Sequence, residues 1–473
     1  MAQACSHIWD VIVVGAGAAG LQAASYAADR GARVLLLEGG DNIGGTLHVS
    51  GGQISAAGTK LQQVRGIEDT AEEHFKDILS ITNGNVDRAL SRLAVENAAD
   101  TVDAILELGP ELYPDMPIVT NIHEPYSKPR TYWGPELGKG LLRVIVPWFE
   151  KRRGSGVTLE YGASVIGLEQ DSDGKVTGVV AQRGGDNQRF QSKNVVLATG
   201  GFAANQKLFP CLMQGHTLYQ GAMDHCTGGG LLMGIGAGGY VQGSDRFQVM
   251  FGGIREGMGQ SHKYYGGCET IPQNRLPWEI YVNANGQRFV REDEPSIDAR
   301  ERALMAQPEL RFWILFDENI RARAPRLVPD WSDIEFKKAI EQHPDFYRAE
   351  SVDELAEEIR VDSKALKVTI QDYNNSQRAQ KDHLGRVHMP APIGQAPYYV
   401  IANYGVSYLS FAGLAVNTEL QVITVSGKPI PGLYAAGEIV GGGQTMGQGY
   451  CGGMTLTPAF TFGRLLGQHI LEW

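Results

Sequence analysis

The stretch Gly15-Ala16-Gly17-Ala18-Ala19-Gly20 decides the fold of this chain. It follows an apolar run, Trp9–Val14, that is typical of a buried parallel strand, and it leads into a segment with small and apolar residues at helical spacing. A second apolar run, residues 33–37, ends in Glu38. Strand, G-x-G-x-x-G, helix, strand and acid within about 30 residues is the pattern of a dinucleotide-binding βαβ unit.

Each part of this motif has a physical role in holding a dinucleotide. Gly15 permits a tight turn, Gly17 lets the backbone approach a pyrophosphate, and Gly20 allows close packing of helix against strand. The N-terminus of the helix offers free N–H groups and the positive end of its dipole to the phosphates. Glu38 can accept hydrogen bonds from ribose hydroxyls, and its charge disfavours a 2′-phosphate, so we do not expect NADP.

The composition narrows the class of protein. The 473 residues include 60 glycines, clustered rather than periodic, which excludes collagen and favours a backbone that approaches a large ligand. A net charge of −11 disfavours nucleic-acid and anionic-membrane binding. Five scattered cysteines, without a Cys-x-x-Cys, predict neither disulfides nor zinc, and no histidine has metal-ligand spacing, so no metal is expected. Without a signal-peptide pattern in residues 1–7 or an apolar run of ~18 residues, we expect a cytoplasmic protein without a membrane span.

Further glycine-rich segments follow the acid and return later in the chain. Residues 42–46 and 50–57 come soon after Glu38, and their glycines are placed to run along a flavin, which favours FAD over NAD. Residues 193–201 and 430–438 each resemble a strand that ends in a turn of small residues.

Local signals predict a few further elements. Thr70 and Glu73 have the spacing of a capping box that opens an amphipathic helix. Residues 156–183 predict a β-meander that turns at Asp173 and Gly174.

These segments, in this order, resemble the FAD-dependent flavoproteins that include fumarate reductases, urocanate reductases and 3-ketosteroid dehydrogenases. The resemblance runs from about Asp10 to Gly467. It implies an α/β fold in which a Rossmann-like FAD-binding domain of the glutathione-reductase type comprises residues 1–244 and 410–473. An α+β capping domain, residues 245–409, is inserted between these parts. It also implies non-covalent FAD, because His48 lies closer to the glycine pair than the flavin-linked histidine of membrane-bound relatives does.

The resemblance places the cofactor along the glycine-rich segments. Glu38 would bind the adenosine ribose, Val165 would meet the adenine edge, and Glu438 would bind a ribityl or ribose hydroxyl. Backbone groups near the C-terminus would face the isoalloxazine. The predicted cofactor-binding residues are Gly15, Gly17, Ala18, Ala19, Gly20, Glu38, Gly39, Gly44, Gly45, Thr46, Gly51, Gly52, Val165, Ala198, Thr199, Gly200, Thr227, Gly228, Glu438, Met454, Thr455 and Leu456.

The substrate-binding positions depart from the fumarate reductases. Residues 249–251 and 409–413 lack their clamp histidines, and Tyr450 stands in place of their carboxylate-binding arginine. A dianion would lie unpaired there, so fumarate and succinate are not expected substrates. Residues 449–464 are instead similar to the 3-ketosteroid dehydrogenases. On that resemblance Tyr450 would activate a substrate ketone, with Gly453 supplying or permitting a second donor; the alternative is a tyrosine packed for shape alone.

Two further residues are candidates for moving a proton. Arg288 aligns with the arginine that delivers the proton in fumarate reductases, and the alternative is that it pairs with Glu292 or Asp293 and anchors the cap. Tyr408 is the candidate base of a desaturase, with a core or surface aromatic as the alternative.

The sequence thus predicts an FAD enzyme acting on the carbon–carbon bond next to a carbonyl. The leading hypothesis is desaturation of a cyclic ketone, either a 3-ketosteroid or a smaller alicyclic ketone, with an external electron acceptor such as O2 or a quinone. The first alternative is an ene-reductase of an unsaturated acid that uses Arg288 as its acid. The second is a flavin electron-transfer protein without an organic substrate, which the inserted cap disfavours.

Overall fold

A computed structural model describes residues 8–120, 123–256 and 262–472, so the segment considered for a signal peptide, with Cys5, lies outside the described residues. The chain divides into two compact units. The first comprises the described residues of Met1–Gly215, Met223–Phe247 and Leu409–Trp473. The second comprises His216–Ala222 and the described residues of Gln248–Tyr408.

The strands of the described residues are β1 (Trp9–Val14), β2 (Val34–Leu37), β3 (Ile54–Ser55), β4 (Thr131–Tyr132), β5 (Val157–Glu160), β6 (Ser164–Gln170), β7 (Val176–Arg183), β8 (Asp186–Leu197), β9 (Val241–Gln242), β10 (Ile254–Arg255), β11 (Tyr264–Gly266), β12 (Ile280–Val282), β13 (Arg311–Asp317), β14 (Phe346–Ala349), β15 (Tyr398–Tyr404), β16 (Gly413–Leu414), β17 (Gln421–Ile423) and β18 (Pro429–Ala435).

The α-helices are α1 (Ala18–Asp29), α2 (Lys60–Val64), α3 (Ala71–Ile81), α4 (Arg88–Glu96), α5 (Ala98–Leu106), α6 (Leu137–Glu150), α7 (Leu208–Leu212), α8 (Gly229–Gly236), α9 (Ile297–Met305), α10 (Glu318–Arg323), α11 (Asp333–Gln342), α12 (Val352–Ile359), α13 (Ser363–Ala379), α14 (Gly442–Met446) and α15 (Leu456–His469). Short 3-10 helices span Gly45–His48, Pro308–Leu310 and Glu438–Val440.

A mostly parallel sheet with the strand order β17-β18-β8-β1-β2-β5 forms the centre of the first unit. Strands β18, β8, β1, β2 and β5 are paired in parallel, and β17 is antiparallel to β18. Their carboxyl ends, at Val14, Leu37, Leu197 and Ala435, therefore lie at one edge of the sheet, where ligands bind in open α/β sheets. This architecture confirms the predicted α/β fold with a Rossmann-like domain.

The C-terminal helix α15 packs against α1 through glycines. A Cβ atom at Gly463 would overlap the Ala19 oxygen, and one at Gly467 would lie 2.6 Å from the Ala23 oxygen. Only glycine permits this approach of two helix backbones. The contact joins segments from the two ends of the chain within the first unit.

Two local predictions had different outcomes. Helix α3 begins after Thr70, whose side chain accepts a hydrogen bond from the Glu73 N–H, as expected of a helix N-cap. The predicted capping box is not complete, because the Thr70 N–H donates to Asp69 and not to Glu73. The predicted meander is wrong in its first strand. Within residues 156–183 only β6 and β7 pair as a hairpin, around the turn at Asp173 and Gly174, whereas β5 pairs in parallel with β2. On its other side β7 pairs antiparallel with β8.

The second unit is built around an antiparallel sheet with the order β12-β13-β15-β14, accompanied by helices α9 to α13. Residues of β13 and β15 are buried on both faces. The rings of Phe251 and Phe312 stack with their centroids 4.7 Å apart, and Tyr281 lies 5.3 Å from Phe312. Among the described residues of either unit, no helix has the length and apolar character to cross a membrane.

Candidate cofactor and active site

The loop between β1 and α1 has the geometry that a pyrophosphate requires. Gly15 has a φ of +99°, and an added Cβ atom there would lie 2.5 Å from the Ala198 oxygen. A Cβ atom at Gly20 would overlap the Gly15 oxygen, whereas one at Gly17 would meet no atom within 4 Å. Gly17 is the N-cap of α1 and supplies no side-chain cap. The helix N-terminus is therefore open at the position where a phosphate would bind.

Glu38, at the end of β2, is held by backbone amides. Its two carboxylate oxygens each accept one hydrogen bond of 2.8 Å, from the Ala16 and Gly40 N–H groups. A carboxylate has further lone pairs, so Glu38 can also accept from a ribose hydroxyl. The Ala163 N–H donates to the backbone oxygen of Glu38. This hydrogen bond brings the start of β6, with Val165, next to Gly39.

The second glycine segment lies beside the first. The Gly44 N–H donates to the Ala16 oxygen at 2.8 Å, and a Cβ atom at Gly45 would lie 3.3 Å from the Gly17 Cα. Thr46 is part of the 3-10 helix Gly45–His48. A ring nitrogen of His48 hydrogen-bonds the Ile43 oxygen at 2.9 Å, so this histidine is engaged within its own loop.

The end of β8 closes the same edge of the sheet. The Ala198 N–H donates to the Val14 oxygen at 2.8 Å, and Thr199 and Gly200 follow in the turn. A Cβ atom at Gly200 would meet no atom within 4 Å. Thr227 and Gly228 lie on the adjacent loop, because the Gly228 N–H donates to the Gly201 oxygen at 3.1 Å.

Glu438 is half-buried at the end of β18 and has no cationic partner in the described part of the chain. One carboxylate oxygen accepts from the Ser410 N–H at 2.8 Å. Burial raises the pKa of Glu438, and the hydrogen bonds from Ser410 oppose this shift. A Cβ atom on the neighbouring Gly437 would lie 3.1 Å from the Ala19 Cβ, so Glu438 lies near the glycine motif. Hydroxyl donors of a bound ribose or ribityl chain would satisfy this carboxylate.

The loop that precedes α15, which contains Gly453, packs onto the glycine-containing segment at residues 50–57. Gly453 has a φ of +75°, and an added Cβ atom would lie 2.5 Å from the Ser55 nitrogen. The Thr457 hydroxyl accepts from the Ser55 N–H at 2.7 Å and donates to the Ser55 oxygen at 3.0 Å. The geometry thus gives Gly453 a packing role. Thr455 supplies no side-chain cap at the start of α15, and the Leu456 and Thr457 N–H groups both donate to the Gly453 oxygen, at 3.2 and 2.9 Å.

The remaining residues of these segments differ in exposure. Gly52 has a φ of +69°, and an added Cβ atom would overlap the backbone of Leu137. Gly51 is exposed, and an added Cβ atom there would meet only the end of the Gln53 side chain. The first unit therefore brings all 22 predicted cofactor-binding positions into one compact body, most of them on loops at the carboxyl edge of its sheet.

Tyr450 belongs to an aromatic cluster in the first unit. Its side chain is buried, its ring stacks on His123 with centroids 4.9 Å apart, and it meets Phe411 edge-on at 5.6 Å. Phe247 extends the cluster, 6.3 Å from Phe411. We call these four residues the aromatic cluster. Sequence reasoning singled out Tyr450, but it missed His123, which is remote from Tyr450 in sequence.

The two proton-transfer candidates lie in the second unit. Arg288 donates two hydrogen bonds to Glu292, at 2.8 and 2.6 Å, and two to Asp382, at 2.6 and 3.3 Å. Burial lowers the pKa of Arg288, but the two carboxylates outweigh burial and hold the pKa above its ordinary value. This geometry favours the anchoring interpretation, because a guanidinium held by two carboxylates releases its proton reluctantly.

Tyr408 is 40% exposed, and its ring lies edge-on to Tyr264 at 5.7 Å. Desolvation and the neighbouring Tyr264 raise the pKa of Tyr408. A phenol with a raised pKa is a poor base at neutral pH.

Residues 10–454 match the profile of a family described as the FAD binding domain. The chain belongs to this family. FAD is its cofactor, as predicted, and the open glycine positions described above are consistent with a bound dinucleotide. The predicted relationship to the fumarate reductase flavoproteins is also confirmed.

The chain is similar along its length to several reductases. It is 29% identical to a probable fumarate reductase of Shewanella frigidimarina, covering 98% of this chain and 75% of that protein. It is 32% identical to an NADH:fumarate oxidoreductase of Klebsiella pneumoniae, covering 98% of this chain but 47% of that protein. Other relatives, at 27–28% identity, are named as reductases of urocanate, vinyl phenol and acrylate. These names support an FAD enzyme that acts on carbon–carbon bonds.

Two solved structures have the same fold. The open conformation of a flavocytochrome c3 fumarate reductase matches with a TM-score of 0.73 and 26% identity, covering 99% of this chain and 78% of that one. A 3-ketosteroid Δ1-dehydrogenase of Sterolibacterium denitrificans matches with a TM-score of 0.78 and 23% identity, covering 98% and 99%. At 23% identity the second match shows the shared fold alone.

The predicted desaturation of a cyclic ketone is wrong. The relatives named above are reductases, whereas the 3-ketosteroid dehydrogenases share the fold without comparable sequence similarity. The motif that suggested a ketone has a packing explanation. Gly453 fits against Ser55, and Tyr450 fits between His123 and Phe411, whichever substrate is bound. Without a ketone substrate there is no basis for a proton-abstracting role of Tyr408 or for a ketone-activating role of Tyr450.

Proposed function

We propose that this flavoprotein is an ene-reductase that hydrogenates a carbon–carbon double bond conjugated to a carboxylate. The observation that carries the proposal is sequence similarity to reductases over 98% of the chain. The open glycine positions and the half-buried Glu438 of the first unit support the cofactor part of the proposal. In this reading the second unit is the capping domain, which closes over substrate and excludes water.

The reaction adds two electrons and two protons across the double bond. The loops that contain Gly17, Gly45 and Glu438 would hold FAD, and the reduced cofactor would supply a hydride to the β-carbon. A proton must reach the α-carbon, and a hydrogen-bonded or ion-paired substrate carboxylate would stabilise the charge that develops on that side. The geometry of Arg288 does not favour it as the source of this proton, so water or another donor is proposed.

Electrons must come from an external donor. The names of two relatives include NADH and cytochrome, and this chain spans 47% of the first and 77% of the second. We propose that a separate electron carrier reduces the FAD. Residues 234–239 loosely match G-x-G-x-x-G, but they lie at the end of helix α8 rather than after a strand, as a second dinucleotide site would require.

A dye-linked assay tests the proposed function. Reduced methyl viologen should be oxidised by the holoenzyme when α,β-unsaturated acids are supplied anaerobically, and the saturated acid should be identified as the product. The oxidised enzyme should show no dehydrogenation of saturated cyclic ketones. Failure of every unsaturated acid, with FAD fully bound, would contradict the proposal.

A further inference from the structure

One buried arginine of the second unit differs from the others in the described chain. Five arginines are buried among the described residues of the two units. Four of them form ion pairs with carboxylates: Arg130 with Asp69 and Asp77, Arg275 with Glu279, Arg288 with Glu292 and Asp382, and Arg386 with Glu292. Arg300 has no such pair. Because a buried cation without a partner is costly, its retention calls for an explanation.

Arg300 lies on helix α9, and only 1% of its surface is exposed. One terminal nitrogen donates to the Thr270 oxygen, while its Nε finds no acceptor. The guanidinium carbon lies 5.0 Å from the centre of the Phe251 ring. Burial lowers the pKa of Arg300, and the neighbouring Tyr281 and Glu301 act in the opposite direction.

The acidic residues of the same helix do not replace an ion-pair partner. Asp298 and Glu301 are both buried, and one carboxylate oxygen of Glu301 accepts from the Gln248 side chain at 3.1 Å. Glu301 lowers the electrostatic cost of burying Arg300, but it forms no ion pair with it. The buried Nε of Arg300 therefore has no hydrogen-bond acceptor among the described residues.

Tyr281 supplies a second unused donor beside the same phenylalanine. Its side chain is fully buried, its hydroxyl has no hydrogen-bond partner, and its ring centroid lies 5.8 Å from that of Phe251. The charge of Arg300 acts on the pKa of Tyr281, so the two groups are electrostatic neighbours. A cation and a hydroxyl, both donors, fit an anionic acceptor, and a carboxylate has this chemistry.

We propose that Arg300 and Tyr281 bind the carboxylate of the substrate, and that the substrate is an unsaturated monocarboxylic acid. One guanidinium pairs with one carboxylate, so a dicarboxylate gains nothing here from its second charge. The nature of the ligand rests on the ene-reductase function proposed above, whereas the anion site rests on the second unit alone.

The test compares acids with their neutral amides. The holoenzyme would be assayed with trans-2-butenoate, trans-cinnamate, the two primary amides and fumarate. Isothermal titration calorimetry would measure binding of butanoate and butanamide to the same protein. Wild-type enzyme should prefer each monocarboxylate to its amide, and should not prefer fumarate to 2-butenoate.

The variants Arg300→Gln and Tyr281→Phe should weaken acid binding selectively. We expect KM for the acid to rise about 100-fold in Arg300→Gln and about 10-fold in Tyr281→Phe, with KM for the amide changed less than 3-fold and full FAD content. Arg275→Lys, in a buried arginine that is already paired, is the matched control and should keep the wild-type preference for the acid.

The outcomes separate the two proposals. If no substrate is reduced but butanoate binds in an Arg300-dependent way, the proposed function fails and the anion site stands. Unchanged acid KM in Arg300→Gln overturns the anion site, whether or not reduction occurs. If Arg300→Gln does not fold, Tyr281→Phe and the wild-type titration decide, and equal affinity for butanoate and butanamide overturns the proposal.

Discussion

The two units of this chain prepare their binding groups in different ways. The first unit does so with its backbone: glycines at the sheet edge leave room for a ligand, and Gly17 and Gly200 face open space. In the second unit the binding groups that we propose are side chains: the buried Arg275 and Arg288 are held in ion pairs, whereas Arg300 is not. A backbone site leaves a sequence motif, whereas a side-chain site depends on tertiary partners. The comparison explains why the cofactor was predictable and the substrate was not.

The largest effect should come from a glycine that touches protein. In Gly20→Val the new side chain would overlap the Gly15 oxygen, so α1 could not pack against β1. We expect no folded, yellow protein. The yield of soluble protein and its absorbance near 450 nm measure this outcome, and a normally folded holoenzyme would contradict the packing described here.

A glycine that faces open space should behave differently. An added Cβ atom at Gly17 meets no other atom within 4 Å, so the Gly17→Val apoprotein should fold with a Tm within about 2 °C of wild type. FAD affinity should fall about 100-fold or more, because the side chain occupies the place of the pyrophosphate. Fluorescence titration with FAD measures this, and native affinity would mean that the cofactor binds elsewhere.

The ion pairs of the second unit should matter mainly for stability. Arg288→Met leaves Glu292 and Asp382 buried without this partner, and should lower the free energy of unfolding by about 3–5 kcal/mol. Lys367→Met removes an exposed pair with Asp353 in the same unit and should cost less than ~1 kcal/mol. Urea denaturation followed by fluorescence measures both variants.

The conservative variant Arg288→Lys separates stability from proton transfer. Reduction per folded molecule should persist in Arg288→Lys, whatever its loss of stability. Normal stability together with abolished reduction would return Arg288 to the role of proton donor.

The raised pKa of Glu438 predicts a pH dependence in the apoprotein. A carboxyl whose folded pKa lies above the ordinary value of 4.5 contributes stability below that value, and this contribution is lost as pH rises through the folded pKa. Glu438→Gln should remove this loss, so its Tm should gain about 2 °C relative to wild type as the pH rises above 4.5. FAD affinity should fall in the same variant. Parallel pH profiles for the two apoproteins would contradict the assigned shift.

The smallest effect should come from the hydroxyl of Tyr450. Tyr450→Phe keeps the ring stacked on His123 and edge-on to Phe411, so turnover with an unsaturated acid should stay within about 3-fold. Tyr450→Ala removes the ring and should lower stability by about 3 kcal/mol. A 100-fold loss of turnover in Tyr450→Phe would show that the hydroxyl takes part in the reaction.

Short sequence motifs predicted those helices, strands and caps that are determined by residues close together in the chain. The β1–α1–β2 unit and the N-cap at Thr70 follow from residues close together in sequence. The pairing of β5 with β2 did not, because it joins segments about 120 residues apart. In the sequence Arg300 looks like part of a charged helix, Asp298 to Arg302, and only the structure shows that it is buried against Phe251. His123 and Asp382 were missed for the same reason.

The substrate prediction failed because a motif was assigned to chemistry when it also serves packing. The glycine at 453 is required by the close approach to Ser55, which any member of this fold with that loop would share. Tyr450, three residues before this glycine, is then placed against His123 and Phe411 by the same loop. Similarity over the whole chain was needed to distinguish reductases from ketone dehydrogenases.

The most direct test of the ene-reductase function is a single-turnover titration. The enzyme would be photoreduced under strict anaerobiosis, and trans-2-butenoate, trans-cinnamate or fumarate would be added while the oxidised flavin band is followed. The account predicts that an unsaturated monocarboxylate restores the band with one equivalent of saturated acid formed per FAD. A flavin that stays reduced with every unsaturated acid, while the oxidised enzyme is bleached by a saturated ketone, would contradict it.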